Sequence, residues 1–391
     1  MSGTAGQDHL ERAQALRPLL LREAEAIESG RRLTPAVVAG LVENGLYRML
    51  LPKSIGGAEL DPPSFMRAIE EIAKGDASTA WCLCQCAVSA MVAAYMERGA
   101  AEAMFNTPPG ILAWGAVAGE AQLVDGGCRV SWRWHFASGC RQASWLGAHV
   151  QLIGQDGQRV MRPDGRPVQR TILFPAASAR IEDVWDVIGL KGTGTDDYAV
   201  DNLFVPERFI AGRDDPASRR EAGPLYKLTT SILYGLGFSS IALGLARMML
   251  DAAVELAGTK SPRQIKGAMR DNHAVHALIG RNEAKLRAAR AYLFSTIEEV
   301  WRDLQRPMEL SLDHRVALRL AASWALHQAT EVVDAAYHMA GATAVFRANP
   351  FERRFRDMHA VAQQIQARDV YYETAGQVML GLEPDAPVFA T

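Results

Sequence analysis

Gln122–Leu123–Val124–Asp125–Gly126–Gly127–Cys128–Arg129–Val130–Ser131–Trp132–Arg133–Trp134–His135–Phe136 reads as two strands joined by a tight turn. Asp125–Gly126–Gly127 supplies the turn, and the residues after it alternate with a period of two, the repeat of a pleated strand. Ala148–Ile153, Arg170–Phe174 and Tyr198–Val205 have the same texture. Short strands separated by glycine turns predict a small sandwich or barrel.

The chain on either side is different. Before Pro108–Pro109–Gly110, apolar residues recur at helical spacing over Leu10–Ile27, Pro35–Asn44, Pro63–Ala73 and Ser78–Arg98. Thr34–Pro35 is a cap followed by proline at the first helical position. After Pro224, Leu225–Gly258, Ala268–Leu304 and Leu312–Met339 are long amphipathic stretches, and a fourth, Phe351–Gly381, reads as broken. Long helices with short links are the signature of an antiparallel bundle. The expected architecture is therefore α+β, mainly α, with an N-terminal helical domain (1–110), a central β-domain (111–215) and a C-terminal four-helix bundle (216–391). This order opposes a βαβ nucleotide-binding sheet, and neither a P-loop nor a GxGxxG follows any strand.

Composition narrows the class. The 391 residues are 49% hydrophobic and 22% charged, the balance of a globular protein. A net charge of −2 gives no field that recruits nucleic acid or an anionic membrane. The apolar stretches around Ala87–Tyr95 and Ile232–Ala246 are interrupted and fall short of the ~18 residues of a membrane span. No secretory signal opens the sequence, so a cytoplasmic location is expected. Cys82, Cys84 and Cys86 alternate within a helix, where residues two apart do not share a face. The five cysteines are expected to be buried thiols, and no zinc site is implied. His273 and His276 share a helix face without a carboxylate at ligand spacing, so no metal is expected. The Arg353–Arg354–Arg356 cluster reads either as a helix surface or subunit contact, or as an anion site.

Local motifs add a resemblance. Gly45–Leu46–Tyr47–Arg48–Met49–Leu50–Leu51–Pro52 with Gly56–Gly57, and then Gly75–Asp76–Ala77–Ser78–Thr79–Ala80–Trp81, open the series. Trp185 to Asp197, closed by Phe204–Val205–Pro206, follows, and then Ala340–Gly341–Ala342 to Asn349–Pro350 with Glu352–Arg353 and Arg356–Asp357. In order and spacing these resemble the acyl-CoA dehydrogenase superfamily over essentially the whole chain. Ser131–Trp132–Arg133–Trp134–His135–Phe136–Ala137–Ser138–Gly139, Ala143–Ser144–Trp145 and Gly194–Thr195–Asp196–Asp197 are closer to its flavin-dependent hydroxylases, the oxygenase parts of two-component systems. The resemblance implies FMN or FAD between β-domain and bundle, taken up reduced from a separate flavin reductase, and a homotetramer.

Dehydrogenation and oxygenation require different residues. A dehydrogenase removes a proton from carbon and needs a carboxylate base over the flavin. By resemblance that base lies about nine residues beyond the arginine of the Arg–Asp pair, a register that here falls on Gln364–Ile365. Glu373 lies two helical turns too far on. An oxygenase must instead exclude water and hold the flavin N5 proton, a task that suits a hydroxyl. Ser138 occupies the resembling position. Many relatives in this branch carry a histidine where this chain has Gln364, which donates a hydrogen bond but exchanges no proton. That departure favours a substrate already nucleophilic: an electron-rich ring, an indole or an amine. His359 is the nearby substitute.

The expected catalytic set is therefore Ser138, His359 and Gln364. The expected flavin set is Trp114, Phe136, Ser138, Gly139, Thr193, Thr195, Arg263 and Gln264. The loop hydroxyls and the Pro262 helix junction supply the last four. Trp81, Trp134 and Trp145 are expected in the core, and His135 is expected to face away from Phe136. The implied function is hydroxylation of an aromatic, indolic or amine small molecule by reduced flavin and O2. An acyl-CoA dehydrogenase or oxidase with a relocated base, and a non-catalytic flavin-binding relative, are the alternatives.

Overall fold

The structure, a computed structural model, describes residues 2–116, 118–262 and 267–385. Five helices come first: α1 (Ser2–Gly30), α2 (Pro35–Glu43), α3 (Pro62–Gly75), α4 (Ala77–Ser89) and α5 (Arg98–Phe105). Thr34, Asp61 and Asp76 cap α2, α3 and α4, each accepting a backbone N–H with its side chain. The apolar run expected as one helix to Arg98 breaks after Ser89. Ala90–Tyr95 tightens to a 3-10 helix, Met96 is extended, and the Ala94 carbonyl accepts from Arg220 N–H at 2.8 Å. A partner from elsewhere in the chain thus replaces the helical donor.

Eight strands follow: β1 (Leu112–Trp114), β2 (Gly119–Val124), β3 (Gly127–Ala137), β4 (Trp145–Ile153), β5 (Gln169–Pro175), β6 (Arg180–Glu182), β7 (Asp196–Pro206) and β8 (Ile210–Ala211). They join in one mixed sheet of order β6-β7-β3-β2-β4-β5-β8, with β1 paired to β4. β2 and β3 form the hairpin, and Gly126 takes φ +76° in its turn. β1 and β2 both run parallel to β4; the other pairs are antiparallel. The β3–β7 ladder slips between Trp134 and Ala137, and Phe136 sits in that slip at φ +60°. Such a bulge re-aims side chains at a strand end. Here it leaves the Phe136 ring 60% exposed while Ser138 is only 3% exposed.

The last helices are α6 (Thr230–Thr259), α7 (His273–Leu304), α8 (Leu312–Ala340), α9 (Phe351–Ala362) and α10 (Val370–Met379). The break expected in the last stretch falls between α9 and α10. α6 is central: it packs on α3, α4, α7, α8 and α9. Ala77–Tyr95 and Thr230–Thr259 are long and apolar enough to cross a membrane by composition, yet both are almost wholly buried within the protein. Their leucines and isoleucines supply the core, each worth about 1.5–3 kcal/mol when buried. All five cysteines are buried and unpaired.

Candidate active site

Three hydroxyls line up where β3 ends and β7 begins. The Ser138 and Thr195 oxygens are 2.7 Å apart, and those of Thr195 and Thr193 are also 2.7 Å apart. Trp81 Nε1–H from α4 donates to Ser138 at 2.9 Å, and Thr193 donates to the Leu190 carbonyl at 2.8 Å. Both ends are fixed, because an indole only donates and a carbonyl only accepts. Each hydroxyl has a single hydrogen. Thr193 spends its hydrogen on Leu190, so Thr195 must donate to Thr193 and Ser138 to Thr195. The row is polarised in one direction, and Ser138 retains one lone pair for a further donor. Gly139 follows at φ +82°, where a Cβ would meet Cys86 Sγ at 2.9 Å.

Aromatic rings stand beside this row. Trp81 stacks on Phe238 of α6 at 3.9 Å and 8°, and Phe238 stacks on Tyr234 at 5.7 Å. Trp81, expected as plain core, is buried but also holds Ser138. Phe136 meets Trp185 edge-on at 6.4 Å. His135 turns from Phe136 to Asp197 at 2.8 Å, as strand alternation predicts. Trp114 is buried against His149, with Arg213 over its ring.

The loop carrying the threonines is fastened to α9. Leu190 N–H donates to Asp357 Oδ1 at 2.7 Å, and a Cβ on Gly189 would overlap the Arg356 carbonyl at 2.1 Å. Glycine is required there by close approach. Burial pushes the Asp357 carboxyl up to about 7, against the pull of Arg353 and the Leu190 N–H. The folded protein therefore keeps a proton that the unfolded chain releases near the ordinary carboxylate value. This contribution to stability is whole below that value and is lost as pH rises towards about 7. Melting midpoints of the wild type and Asp357→Asn, compared from about pH 5 to about pH 8, check this: the wild type's margin should shrink as pH rises, by at most ~1.4 kcal/mol per unit.

The other expected residues are placed as follows. Gln364 opens the break after α9; its Oε1 accepts from Gln366 N–H at 2.7 Å, while its Nε2 is buried with no partner among the described residues. His359 Nε2 is 2.9 Å from Asp334 on α8, and its ring lies on Phe355. No described contact joins His359 to the hydroxyl row. Arg263 and Gln264 lie outside the described residues. Arg353, Arg354 and Arg356 form neither a solvated surface nor an open anion site. Arg353 bonds Asp76 and the Ala24 carbonyl, Arg356 bonds Glu28 and Glu352, and Arg354 reaches the Met248 carbonyl.

Comparison with known proteins fits this geometry. The acyl-CoA dehydrogenase N-terminal domain family matches residues 12–104, and the acyl-CoA dehydrogenase C-terminal domain family matches 236–368. Indole-3-acetate monooxygenase of Pseudomonas putida is 31% identical over 364 residues, covering 90% of this chain and 89% of the relative. The chain belongs to the acyl-CoA dehydrogenase family, in its flavin-dependent monooxygenase branch. The monooxygenase oxygenase subunit HsaA of Rhodococcus jostii is 30% identical, covering 90% of this chain and 92% of the relative. The crystal structure of 3-HSA hydroxylase from Rhodococcus sp. RHA1 superposes with TM-score 0.88 at 26% identity, covering 97% and 98% of the two chains.

As a flavin-dependent monooxygenase of the two-component type, the enzyme receives reduced flavin from a reductase. Among the described residues, the buried acids flanking the hydroxyl row and its loop are engaged by cations or backbone groups. Asp76 and Asp196 are held by Arg353 and Arg141, Asp197 by Arg133, and Asp357 by Leu190 N–H beside Arg353. Glu373 is exposed on α10. None of these is a free carboxylate poised to take a proton from carbon. Trp81 and Asp357 stand in local motifs that gave no sign of these contacts, and Phe238 carries no motif at all; each meets the row or its loop from a distant segment.

Proposed function

We propose that this enzyme hydroxylates an electron-rich aromatic or indolic small molecule, with Ser138 as the group that holds the flavin N5 proton. The observation that carries the reading is the one-way hydroxyl row, which leaves Ser138 one open acceptor lone pair while its own hydrogen is taken by Thr195. Reduced flavin supplies two electrons to O2, so that one oxygen atom enters the substrate and the other leaves as water. N5 of the reduced cofactor bears a hydrogen and suits such an acceptor. Trp81 fixes the Ser138 oxygen from one side and Thr195 turns its hydrogen away on the other. The exposed Phe136 ring offers an apolar face for the cofactor ring, and the unpartnered Gln364 amide offers a donor. Gly139 and the buried Thr193 and Thr195 keep the floor narrow and short of water.

The reading extends to assembly and location. Trp324 on α8 and Met379 and Leu380 at the end of α10 are 45%, 78% and 78% exposed. Apolar side chains of this size, bare on the helical end, support burial between copies in a homotetramer. Five reduced thiols support a cytoplasmic location.

The test supplies reduced FMN or FAD with isotopically labelled O2 and a panel of phenols and indoles. One labelled oxygen per product molecule is expected. Bleaching of bound flavin by an acyl-CoA with no reductase, and no labelled product, would return the enzyme to dehydrogenase chemistry.

A further inference from the structure

Arg319 is a buried cation without a counter-charge among the described residues. It lies on α8, one and two turns before Ser323 and His327, on the face covered by α6 and the break after α9. Ser323 Oγ donates to the Gln366 carbonyl at 3.4 Å, and His327 Nε2 lies 2.8 Å from the Ala367 carbonyl. Arg319 itself is 5% exposed. Its Nη2 donates to Ser231 Oγ at 3.2 Å and its guanidinium lies 4.6 Å from the Tyr371 ring centre. Nη1 has no acceptor among the described residues, and no carboxylate pairs with the group. Burial alone weakens its hold on its proton.

α6 and the break after α9 close around Nη1. Gly235 on α6 makes room for the cation: a Cβ there would lie 3.1 Å from Nη1 and 3.8 Å from Gln366 Cγ. Nη1 and Gln366 therefore flank one point on α6. Two residues before Gln366 is Gln364, whose Nε2 is also a buried donor with no partner among the described residues. One turn along α6 from Gly235 is Phe238, stacked on Trp81, which in turn holds Ser138. A bare cation, a bare amide and a flat aromatic wall thus lie along α8, α6 and the break after α9, which pack on one another.

A guanidinium stripped of water costs free energy until a planar anion restores its hydrogen bonds, and a carboxylate matches its fork. We propose that Arg319 binds the carboxylate of an aromatic acid substrate, whose ring rests beside the Trp81–Phe238 stack. The proposal rests on the monooxygenase reading and narrows it. A relative named for indole-3-acetate acts on a molecule of this class.

Calorimetric titration of the full chain with several arylacetates and their neutral amides tests it, with no flavin or oxygen present. Oxygen transfer is measured separately, so failure here leaves the monooxygenase reading standing. The wild type should bind an arylacetate about thirtyfold more tightly than its amide. Arg319→Met should bind the two alike, and Arg319→Lys should keep part of the preference. The melting point of Arg319→Met should not fall, because an apolar side chain replaces an uncompensated charge. A wild type in which no arylacetate binds better than its amide overturns the proposal. So does an Arg319→Met protein that keeps the preference while its melting point drops.

Discussion

Thr195→Val should uncouple the enzyme as severely as Ser138→Ala, even though it leaves Ser138 in place. With the Thr195 oxygen gone, the Ser138 hydrogen has lost its acceptor and is free to swing to the side where the N5 hydrogen needs a lone pair. The serine then presents a donor to a donor. In Ser138→Ala the acceptor itself is absent, and the Trp81 N–H is also left buried without a partner, at a stability cost of about 1–3 kcal/mol. In both variants the share of reduced flavin that ends as hydroxylated product should fall about tenfold to a hundredfold, and hydrogen peroxide should appear in its place. Oxygen uptake set against product formed measures this. The double variant should be no worse than the poorer single one, since both break the same row. Normal coupling in Thr195→Val would show that the direction of the row has no bearing on the reaction.

What could be read in advance follows from how local each signal is. The hairpin around Asp125–Gly126–Gly127, the Thr34–Pro35 helix start and the long helices after Pro224 depend on neighbours in sequence, and they stand where periodicity put them. The helix expected to run to Arg98 fails for a nonlocal reason, the Arg220 N–H taking the Ala94 carbonyl. The site divides along the same line. Ser138 and Gly139 were marked by a contiguous motif. Trp81 ends a contiguous motif too, but was expected as core, because nothing in its neighbourhood tells that a strand end 57 residues away will accept its N–H. By sequence His359 is the nearby substitute for the usual histidine, and the partner that orients it, Asp334, lies 25 residues earlier on another helix. Arg319 carries no mark at all in sequence: one arginine on an amphipathic helix is ordinarily solvated, and only the packing of α6 and the break after α9 shuts it in.

Arg353 shows the same limit at larger cost, and its removal should be strongly destabilising. Read from sequence, it belongs to a basic cluster. In the fold it joins three parts of the molecule: it bonds Asp76 at the start of α4 and the Ala24 carbonyl of α1 from its own place on α9, with Asp357 at 3.6 Å and Glu28 at 3.6 Å. Asp76 is also the cap of α4, taking the N–H and the hydroxyl of Thr79 at 2.7 Å each. Arg353→Met would strand Asp76 and Asp357 as buried acids, at a cost of about 3–5 kcal/mol. Part of that cost should return in the double variant Arg353→Met/Asp76→Asn, because an asparagine still caps the helix and carries no charge to strand. Thermal or urea unfolding of the two variants measures the difference. An Arg353→Met protein as stable as the wild type would mean that packing alone joins α1, α4 and α9. Because Asp357 also holds Leu190, whose carbonyl ends the hydroxyl row, loosening this knot should lower coupling before the protein unfolds. Product yield in Arg353→Met should therefore fall at temperatures where its helical signal is still intact.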